Sequence, residues 1–357
     1  MFKKLFITCC FIFQVNLLLA QHPSASPSAE DSSLVKWLDF KEAFEKNKTH
    51  PLPFLIDIYT DWCGWCKHMM RTTYSTPGLA GYINANFYPV KFNAETKDTI
   101  EYLGTKYFNA ELGTRSPHQL AIKFLGERMS YPSTVFINNN FQFSLLSAGY
   151  LDVRKIEPLL IYTVENIFRT TQYEDFKKYY ELAYPETPAE NTKPENSTST
   201  DNGQSSTVNP HWYSFNEALL KQKNNAKKLL VFVHTEWCNG CRIMKKTTFT
   251  PPDVVKYLEE KYYLVDLNAE TKDTILFAGQ TFVHEKDKPF HQFVYAALKG
   301  NVFLPSCIVF NQELQAVDAI PYYLTPETME PILKYYGDEA YKTTKWEDFR
   351  QRYSEKK

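Results

Sequence analysis

The chain has 357 residues, of which 43% are hydrophobic and 16% aromatic, and this composition is sufficient to bury more than one core. At a typical size of about 100–200 residues per domain, the length predicts two domains. The formal net charge of -1, without a long basic run, gives no electrostatic reason to expect nucleic acid as a partner.

The N-terminus has the pattern of an export signal. Lys3 and Lys4 precede an apolar run that ends at the small residue Ala20, and a polar stretch follows it. Polar residues interrupt the run, which is shorter than the roughly 20 apolar residues that a membrane span requires. We therefore predict a signal peptide over 1–20, a disordered segment over 21–34, and a periplasmic or secreted mature protein without a stable membrane span. An uncleaved anchor is the alternative.

From residue 35 onward, helical and strand-like patterns alternate. In chain order the pattern predicts a helix in VKWLDFKEAFEKN, a strand in FLIDIY, a helix in CKHMMRTTY, a strand in NFYPVKFN, a helical region through about Gly126, a hairpin of STVFIN with QFSLLSA, and a closing helix from Asp152. Alternation of this kind predicts an α/β layered domain.

The chain then repeats itself. NAETKDTI occurs at 93–100 and again at 268–275, and TTQYEDF at 170–176 is matched by TTKWEDF at 343–349. Each repeat spans about 150 residues, which is the size of a domain rather than of a solenoid unit. We therefore predict one domain over 35–183, called copy one, and a second over 211–357, called copy two.

The segment between the copies, 184–210, has a different composition. It is rich in proline, serine, threonine, asparagine and glutamate and contains almost no residue suited to a core. Because such a segment cannot bury enough apolar surface to offset the entropy of ordering, we predict a disordered linker.

Signal cleavage leaves five cysteines, and four of them form C-x-x-C pairs. The pairs are Cys63 with Cys66 and Cys238 with Cys241, and Cys307 is left over. A disulfide that encloses two residues constrains the unfolded chain little, so redox chemistry or metal binding remains. A four-cysteine zinc site would need ligands from both copies, because neither copy has a second C-x-x-C or an H-x-x-x-H pair. Redox chemistry is therefore favoured, and a zinc-binding interaction module stays as an alternative.

Each pair lies where a predicted strand meets a predicted helix. The backbone N–H groups and the dipole at a helix N-terminus favour the thiolate of the first cysteine, which attacks a substrate disulfide. The second cysteine, one helical turn later, resolves the mixed disulfide. Cys63 and Cys238 are the predicted nucleophiles and Cys66 and Cys241 the resolving residues, and no cofactor beyond these two disulfides is expected.

The motifs resemble the thioredoxin superfamily, in particular exported bacterial proteins with W-C-x-x-C. DWCGWC and EWCNGC each follow a strand, and Tyr131-Pro132 or Leu304-Pro305 precedes a later apolar strand. The resemblance covers nearly all of both copies and implies tandem thioredoxin-like domains, each with a central mixed sheet flanked by helices. It implies that both prolines are cis, although trans prolines are the alternative, and that an extended substrate pairs beside them. The implied substrate-binding residues are Trp62, Tyr131, Pro132, Trp237, Leu304 and Pro305.

The resemblance also implies a buried acid six residues before the nucleophile, with a lysine near it, that moves protons during resolution. Copy one matches with Asp57 and Lys91, whereas copy two has Phe232 and Asp266 at these places. An acid between apolar residues is costly to bury, so the pKa of Asp57 is expected to be raised, as a proton-transfer group requires. An ordinary acid at an exposed strand position is the alternative. Copy two is expected to resolve more slowly, to have another potential or mainly to bind substrate.

Four further residues have structural interpretations that are favoured over functional ones. His234 precedes Cys238 in its strand and offers another base, but a histidine in a strand is more often structural. His118 and His291 recur at the same distance before the two prolines, which favours helix packing over catalysis. Cys307 is expected to be a buried free thiol.

Together these features predict an exported protein thiol–disulfide oxidoreductase with a fully equipped copy one. Its predicted partners are protein or peptide disulfides and an unidentified electron donor or acceptor. A substrate-binding scaffold protein with vestigial motifs is the second alternative. Reduction, oxidation and isomerisation all stay open, because potentials in this fold range from about -270 to about -120 mV.

Overall fold

The computed structural model describes residues 33–110, 113–126, 129–185 and 209–355. The predicted signal peptide lies outside these residues, as do all but the ends of the predicted segments 21–34 and 184–210. The described part forms two successive α/β units, which confirms the predicted fold class. None of the helices in this part is long and apolar enough to cross a membrane.

Copy one is built on a four-stranded mixed sheet. Its elements are α1 (Phe40–Thr49), β1 (Phe54–Tyr59), α2 (Gly64–Arg71), α3 (Pro77–Asn86), β2 (Tyr88–Asn93), β3 (Ile100–Tyr102), β4 (Thr105–Tyr107), α4 (Gln119–Leu125), β5 (Ser133–Ile137), β6 (Ser144–Ala148), α5 (Val153–Val164) and α6 (Tyr173–Ala183). The strand order is β2–β1–β5–β6, with β1 parallel to β2 and antiparallel to β5. The hairpin β3–β4 is a separate two-stranded sheet.

The alternation of β1 decides which side chains lie near the cysteines. Successive residues of a strand point to opposite faces of the sheet. Phe54, Ile56 and Ile58 are buried against α1 and α4 on one face. Leu55 packs with α2, α3 and α5 on the other face. Asp57 has the same parity as Leu55, so its carboxylate lies on the α2 side, beneath the helix that the cysteines begin.

The helical region expected before Gly126 is wrong in its first part. Among the described residues of that region only α4 is helical, and residues 100–107 form the β3–β4 hairpin. Leu103 and Gly104 at its tip have φ values of 51° and 76°. Positive φ at both central residues matches the right-handed twist of a hairpin, but the usual Asn-Gly or Asp-Gly signature is missing. Helix α3 was not predicted from the sequence, and it begins with Pro77 at its first position.

Copy two repeats this plan with one more strand at the sheet edge. Its elements are β7 (Trp212–Tyr213), α7 (Phe215–Asn224), β8 (Lys228–His234), α8 (Asn239–Thr247), α9 (Pro252–Lys261), β9 (Tyr262–Asn268), β10 (Ile275–Phe277), β11 (Gln280–Phe282), α10 (Gln292–Ala297), β12 (Ser306–Phe310), β13 (Ala316–Pro321), α11 (Pro326–Gly337) and α12 (Trp346–Ser354). The strand order is β13–β12–β8–β9–β7.

The two copies share an apolar core. Tyr179 and Tyr180 of α6 and Ile161 of α5 belong to the same buried cluster as Ile243 and Met244 of α8. Helix α6 therefore packs on the cysteine helix of copy two as well as on α5, whereas its counterpart α12 packs on α11 of its own copy. Burial of aromatic and aliphatic side chains from both copies stabilises this arrangement.

Polar contacts border this shared core. The Thr170 hydroxyl donates to the Tyr323 carbonyl, and the Tyr179 hydroxyl donates to the Glu327 carboxylate. Lys246 donates to the Ala183 carbonyl at 3.1 Å. These bonds give the contact a defined orientation in addition to its apolar area.

We expect light proteolysis to cut first within 184–210, because that segment has little to bury. The two pieces are expected to elute together in size-exclusion chromatography, since α5 and α6 remain packed against α8 after the cut. A denaturing gel reports the cut, and a denaturant in the column buffer should separate the pieces. Separate elution under native conditions would show that the shared core does not hold the copies together.

Candidate redox sites

Both cysteine pairs lie at the start of a helix, directly after a central strand of their sheet. Cys63 precedes α2 and is joined to Cys66 by a disulfide, and Cys238 precedes α8 and is joined to Cys241. In each pair the first sulfur accepts the backbone N–H of the second cysteine, at 3.1 Å. After reduction, these donors and the helix dipole are placed to stabilise a thiolate on the first sulfur.

The two prolines predicted from the resemblance are cis in both copies. The bonds are Tyr131-Pro132 and Leu304-Pro305, and each immediately precedes the strand that pairs antiparallel with the central strand of its sheet. The Tyr131 ring contacts the Trp62 ring edge to face, with centroids 6.0 Å apart. The role of these residues in substrate binding stays a prediction.

The tryptophan before each cysteine pair is exposed but held in place. Trp62 is 52% exposed and Trp237 is 56% exposed. Their indole N–H groups donate to Glu95 at 2.9 Å and to Glu270 at 3.1 Å. The two glutamates end the repeated NAE triplet, and the sequence reasoning missed this function for the repeat. An anchored, exposed ring at this position offers a flat apolar surface beside the disulfide.

Asp57 is fully buried in copy one. Neither of its carboxylate oxygens has a hydrogen-bond partner, and the neighbouring Tyr74 and Thr134 hydroxyls are likewise buried and unpaired. Burial raises the pKa of Asp57 to about 7, although the charge of Lys91 and the hydroxyl of Tyr74 counteract part of that effect. A carboxyl with this pKa exchanges protons at neutral pH, as general acid–base catalysis requires.

Lys91 lies beside Asp57 in the sheet. The two residues are register partners on the parallel strands β2 and β1. The Lys91 ammonium lies 5.0 Å from the centre of the Tyr59 ring. The lysine implied by the resemblance therefore lies next to the acid, and the role of the two residues in proton transfer stays a prediction. No motif in the sequence indicated Tyr74 or Thr134.

In copy two the same cluster is apolar. Phe232 and Phe249 occupy the places of Asp57 and Tyr74, and their ring centroids are 5.3 Å apart. Cys307 replaces Thr134 and is the register partner of Phe232. Copy two therefore has an apolar residue in place of the buried proton acceptor in this strand. Phe232, Phe249 and Cys307 stabilise the core here through packing.

Cys307 is a buried free thiol, as predicted. Burial raises the pKa of this thiol far above its usual range, so it carries no thiolate at neutral pH. We expect oxidised mature protein to titrate one thiol per chain in denaturant and none rapidly under native conditions, and reduced mature protein to titrate five in denaturant. Ellman's reagent measures both numbers, and rapid native labelling of Cys307→Ser protein controls for opening of the disulfides.

Asp266 and His234 form a charged group that copy one lacks. His234 Nε2 lies 2.7 Å from Asp266, and the Lys245 ammonium from α8 lies 2.6 Å from the same carboxylate. Hydrogen bonds from His234 and Lys245 outweigh partial burial and lower the pKa of Asp266. Asp266 is thus an ionised carboxylate held by the Lys245 ammonium and the His234 ring, unlike the acid of copy one.

His118 and His291 have structural roles. Each ends the loop before its helix, and its Nδ1 accepts the backbone N–H two residues later, at 3.1 and 3.2 Å. Burial lowers the pKa of both rings, which favours the neutral form that accepts this bond. The described residues contain no group of three or more metal-ligating side chains.

Copy one covers the cysteine motif of copy two. Gly64 and Trp65, between the cysteines of copy one, are exposed, whereas Asn239 is half-buried and Gly240 is buried. The covering residue is Glu165, which follows α5 and was missed by the sequence reasoning. The only sequence signal was the glycine at the position of Trp65, which leaves room for an approaching side chain.

Two family models match the chain. Residues 215–337 match a model described as a thioredoxin-like domain. Residues 18–155 match the model Thioredox_DsbH, described as a protein of unknown function, DUF255. No curated protein matches the chain.

Several solved structures are similar to part of the chain. A structure titled DsbH oxidoreductase is 18% identical over 40% of this chain and 92% of its own, with a TM-score of 0.27. A thioredoxin from Thermus thermophilus is 16% identical over 36% of this chain and 86% of its own, with a TM-score of 0.28. The oxidised DsbD C-terminal domain of Neisseria meningitidis is 20% identical over 34% of this chain and 92% of its own, with a TM-score of 0.24.

Proposed function

Because both copies belong to the thioredoxin superfamily, we propose that the chain is an exported oxidoreductase that exchanges protein disulfides through Cys63 and Cys66. The observation that carries the proposal is the buried, unpaired Asp57 on the sheet face beneath the cysteine helix. A carboxyl group that lacks a full hydrogen bond is costly to bury, and acceptance of the proton of the resolving cysteine explains its presence there. The N-terminal Lys3-Lys4 and apolar run support the export part of the proposal.

The reaction follows from the two cysteine positions. The Cys63 thiolate attacks one sulfur of the substrate disulfide, whose S–S bond breaks, and the other substrate sulfur leaves as a thiolate and takes up a proton. The Cys66 thiol loses its proton to Asp57 and attacks the Cys63 sulfur. A new S–S bond closes, and the second substrate thiol leaves with a proton. The same steps in reverse oxidise a dithiol, so the partner's potential sets the direction.

Reduction of insulin by the full chain, with dithiothreitol as the electron donor, tests this proposal. We compare wild type with Cys63→Ser/Cys66→Ser, with Cys238→Ser/Cys241→Ser and with the variant that carries all four substitutions. The first pair of substitutions is expected to remove most activity and the second a smaller part. If wild type is no faster than the four-fold variant, the motifs are vestigial and a binding or scaffold function replaces the proposal.

The zinc alternative predicts a different property of the purified chain, namely bound metal. A structural zinc site would bind about one metal ion per chain with thiolate ligands and would lose it when the cysteines oxidise. Metal analysis of reduced and oxidised protein, each after dialysis against zinc, distinguishes the two functions. Stoichiometric zinc in the reduced form with no insulin reduction would favour the interaction module.

A further inference from the structure

The carboxylate of Glu165 reaches across from copy one to the second cysteine pair. One oxygen accepts the backbone N–H of Asn239 at 2.8 Å, and the other accepts that of Gly240 at 2.6 Å. The second oxygen also lies 3.6 Å from the sulfur of Cys238. A disulfide sulfur carries no hydrogen, so a proton between these two atoms belongs to the carboxyl group until the disulfide is reduced.

The sequence of copy two leaves space for this approach. A Cβ atom on Gly240 would lie 2.6 Å from the nearer Glu165 oxygen and 3.4 Å from Ile167. Copy one has Trp65 at the same position of its motif, where the side chain is 62% exposed. Glycine in copy two therefore permits close contact between the carboxylate and the backbone at the start of α8.

The surroundings of Glu165 adjust its acidity. Burial of the carboxyl in the contact raises the pKa of Glu165 to about 7, although the N–H groups of Gly240 and Asn239 and the charge of Arg242 counteract part of the rise. The other titratable groups that face it are Cys238 directly before α8 and Tyr82 on α3. The carboxyl therefore exchanges its proton near neutral pH, like that of Asp57 in copy one.

We propose that Glu165 is a catalytic acid–base residue of the Cys238–Cys241 pair, supplied by copy one in place of the acid that Phe232 displaces from the strand of copy two. The inference rests on the proposed thiol–disulfide exchange. The Cys238 thiol gives its proton to the Glu165 carboxylate, and the resulting thiolate attacks a substrate disulfide. The leaving substrate thiolate takes that proton from Glu165. The Cys241 thiol then attacks the Cys238 sulfur, the mixed disulfide breaks, and the second substrate sulfur leaves with the proton of Cys241.

This assignment predicts a coupled titration. A thiolate and a carboxylate 3.6 Å apart cannot both ionise as freely as either one alone, so their two protons leave in separate macroscopic steps. The carboxyl group also competes with the thiolate for the N–H groups at the start of α8. Removing the carboxylate charge should merge the steps and allow the thiolate to form at lower pH.

The experiment follows thiolate absorbance at 240 nm from pH 4 to pH 9. It uses the mature protein without residues 1–20, as the Cys63→Ser/Cys66→Ser variant, reduced with dithiothreitol and then desalted, so that only the second pair titrates; the buried Cys307 stays protonated in this pH range. With Glu165 present, we expect thiolate to form over a broad range in two steps. Glu165→Gln should give one step with its midpoint lower by about 1–3 pH units, the usual effect of removing a nearby like charge.

Two more variants separate charge from folding and packing. Gly240→Ala keeps the carboxylate but pushes it from the motif, and should shift the titration in the same direction as Glu165→Gln. Asp338→Asn changes the acid at the same repeat position of copy two, where the partner is Tyr257, and should leave the curve unchanged. A curve unaffected by both Glu165→Gln and Gly240→Ala overturns the assignment. The titration needs no substrate, so failure of insulin reduction alone would count against the proposed function instead.

Discussion

We expect Asp57→Asn to slow insulin reduction by copy one at least tenfold, because a general base usually contributes about 10²–10⁴ to the rate. The full chain with Cys238→Ser/Cys241→Ser isolates copy one for this measurement. The substituted amide keeps the size of the side chain but cannot accept the proton of Cys66. The first attack by Cys63 should change little, so mixed disulfide should accumulate in the variant.

The pH profile of insulin reduction by copy one also tests the role of Asp57 as a proton acceptor. With the pKa of Asp57 raised to about 7, wild-type turnover should rise with pH through neutrality as the carboxylate forms. The rise near pH 7 should disappear in Asp57→Asn. Asp61→Asn, which changes an exposed acid four residues later, serves as the control and should keep the wild-type profile. An Asp57→Asn profile parallel to wild type would refute a proton-transfer role.

Stability gives a readout of Asp57 that does not involve catalysis. The pKa of its carboxyl is about 7 when folded and near 3.8 when unfolded, so the unfolded chain binds fewer protons between these values. Stability should therefore fall as pH rises from about 4 to 7, by roughly 4 kcal/mol at most. In urea unfolding of the oxidised proteins, the free energy of unfolding of Asp57→Asn should not show this decrease between pH 4 and pH 7.

The second large effect is expected from the resolving cysteine. Cys66→Ser should accumulate covalent adducts with substrates from a periplasmic extract or culture medium, whereas Cys63→Ser should accumulate none. Cys63 is the sulfur at the N-terminus of α2, and without Cys66 its mixed disulfide has no internal route to resolution. Non-reducing gels, with reduced samples alongside, count the adducts. Equal trapping by both variants would reverse or remove the assigned roles.

The matched experiment in copy two tests the contact between the copies. Cys241→Ser should trap at least tenfold less protein than Cys66→Ser, because Glu165 and Ile167 cover the motif at Gly240. Ile167→Ala in the Cys241→Ser chain should recover part of the trapping, because it opens the approach to Cys238 and leaves the Glu165 carboxylate in place. Equal trapping by Cys241→Ser and Cys66→Ser would show that the contact opens readily in solution.

Much of the fold and of the first site follows from local patterns in the sequence. The repeat reveals the two copies, and apolar strands followed by C-x-x-C place each cysteine pair at a strand-to-helix junction. Asp57 stands out in the sequence because it is the one acid in an apolar strand. Phe232 stands out because an apolar residue occupies the equivalent position in copy two. These features depend on the spacing and type of side chains within a few residues, and both can be read from the sequence.

The tertiary structure alone decides what surrounds those residues. Tyr74, from the segment between α2 and α3, and Thr134, from β5, lie beside Asp57, and neither has a motif of its own. The Leu103-Gly104 turn places a leucine at a positive φ, which few residues other than glycine, asparagine and aspartate adopt, so its composition did not indicate the turn. Glu165 is 73 residues from Cys238 and meets it only because α5 and α6 pack against α8. Contacts between distant segments depend on how whole apolar faces fit together, and the local periodicity of the sequence does not indicate which faces will meet.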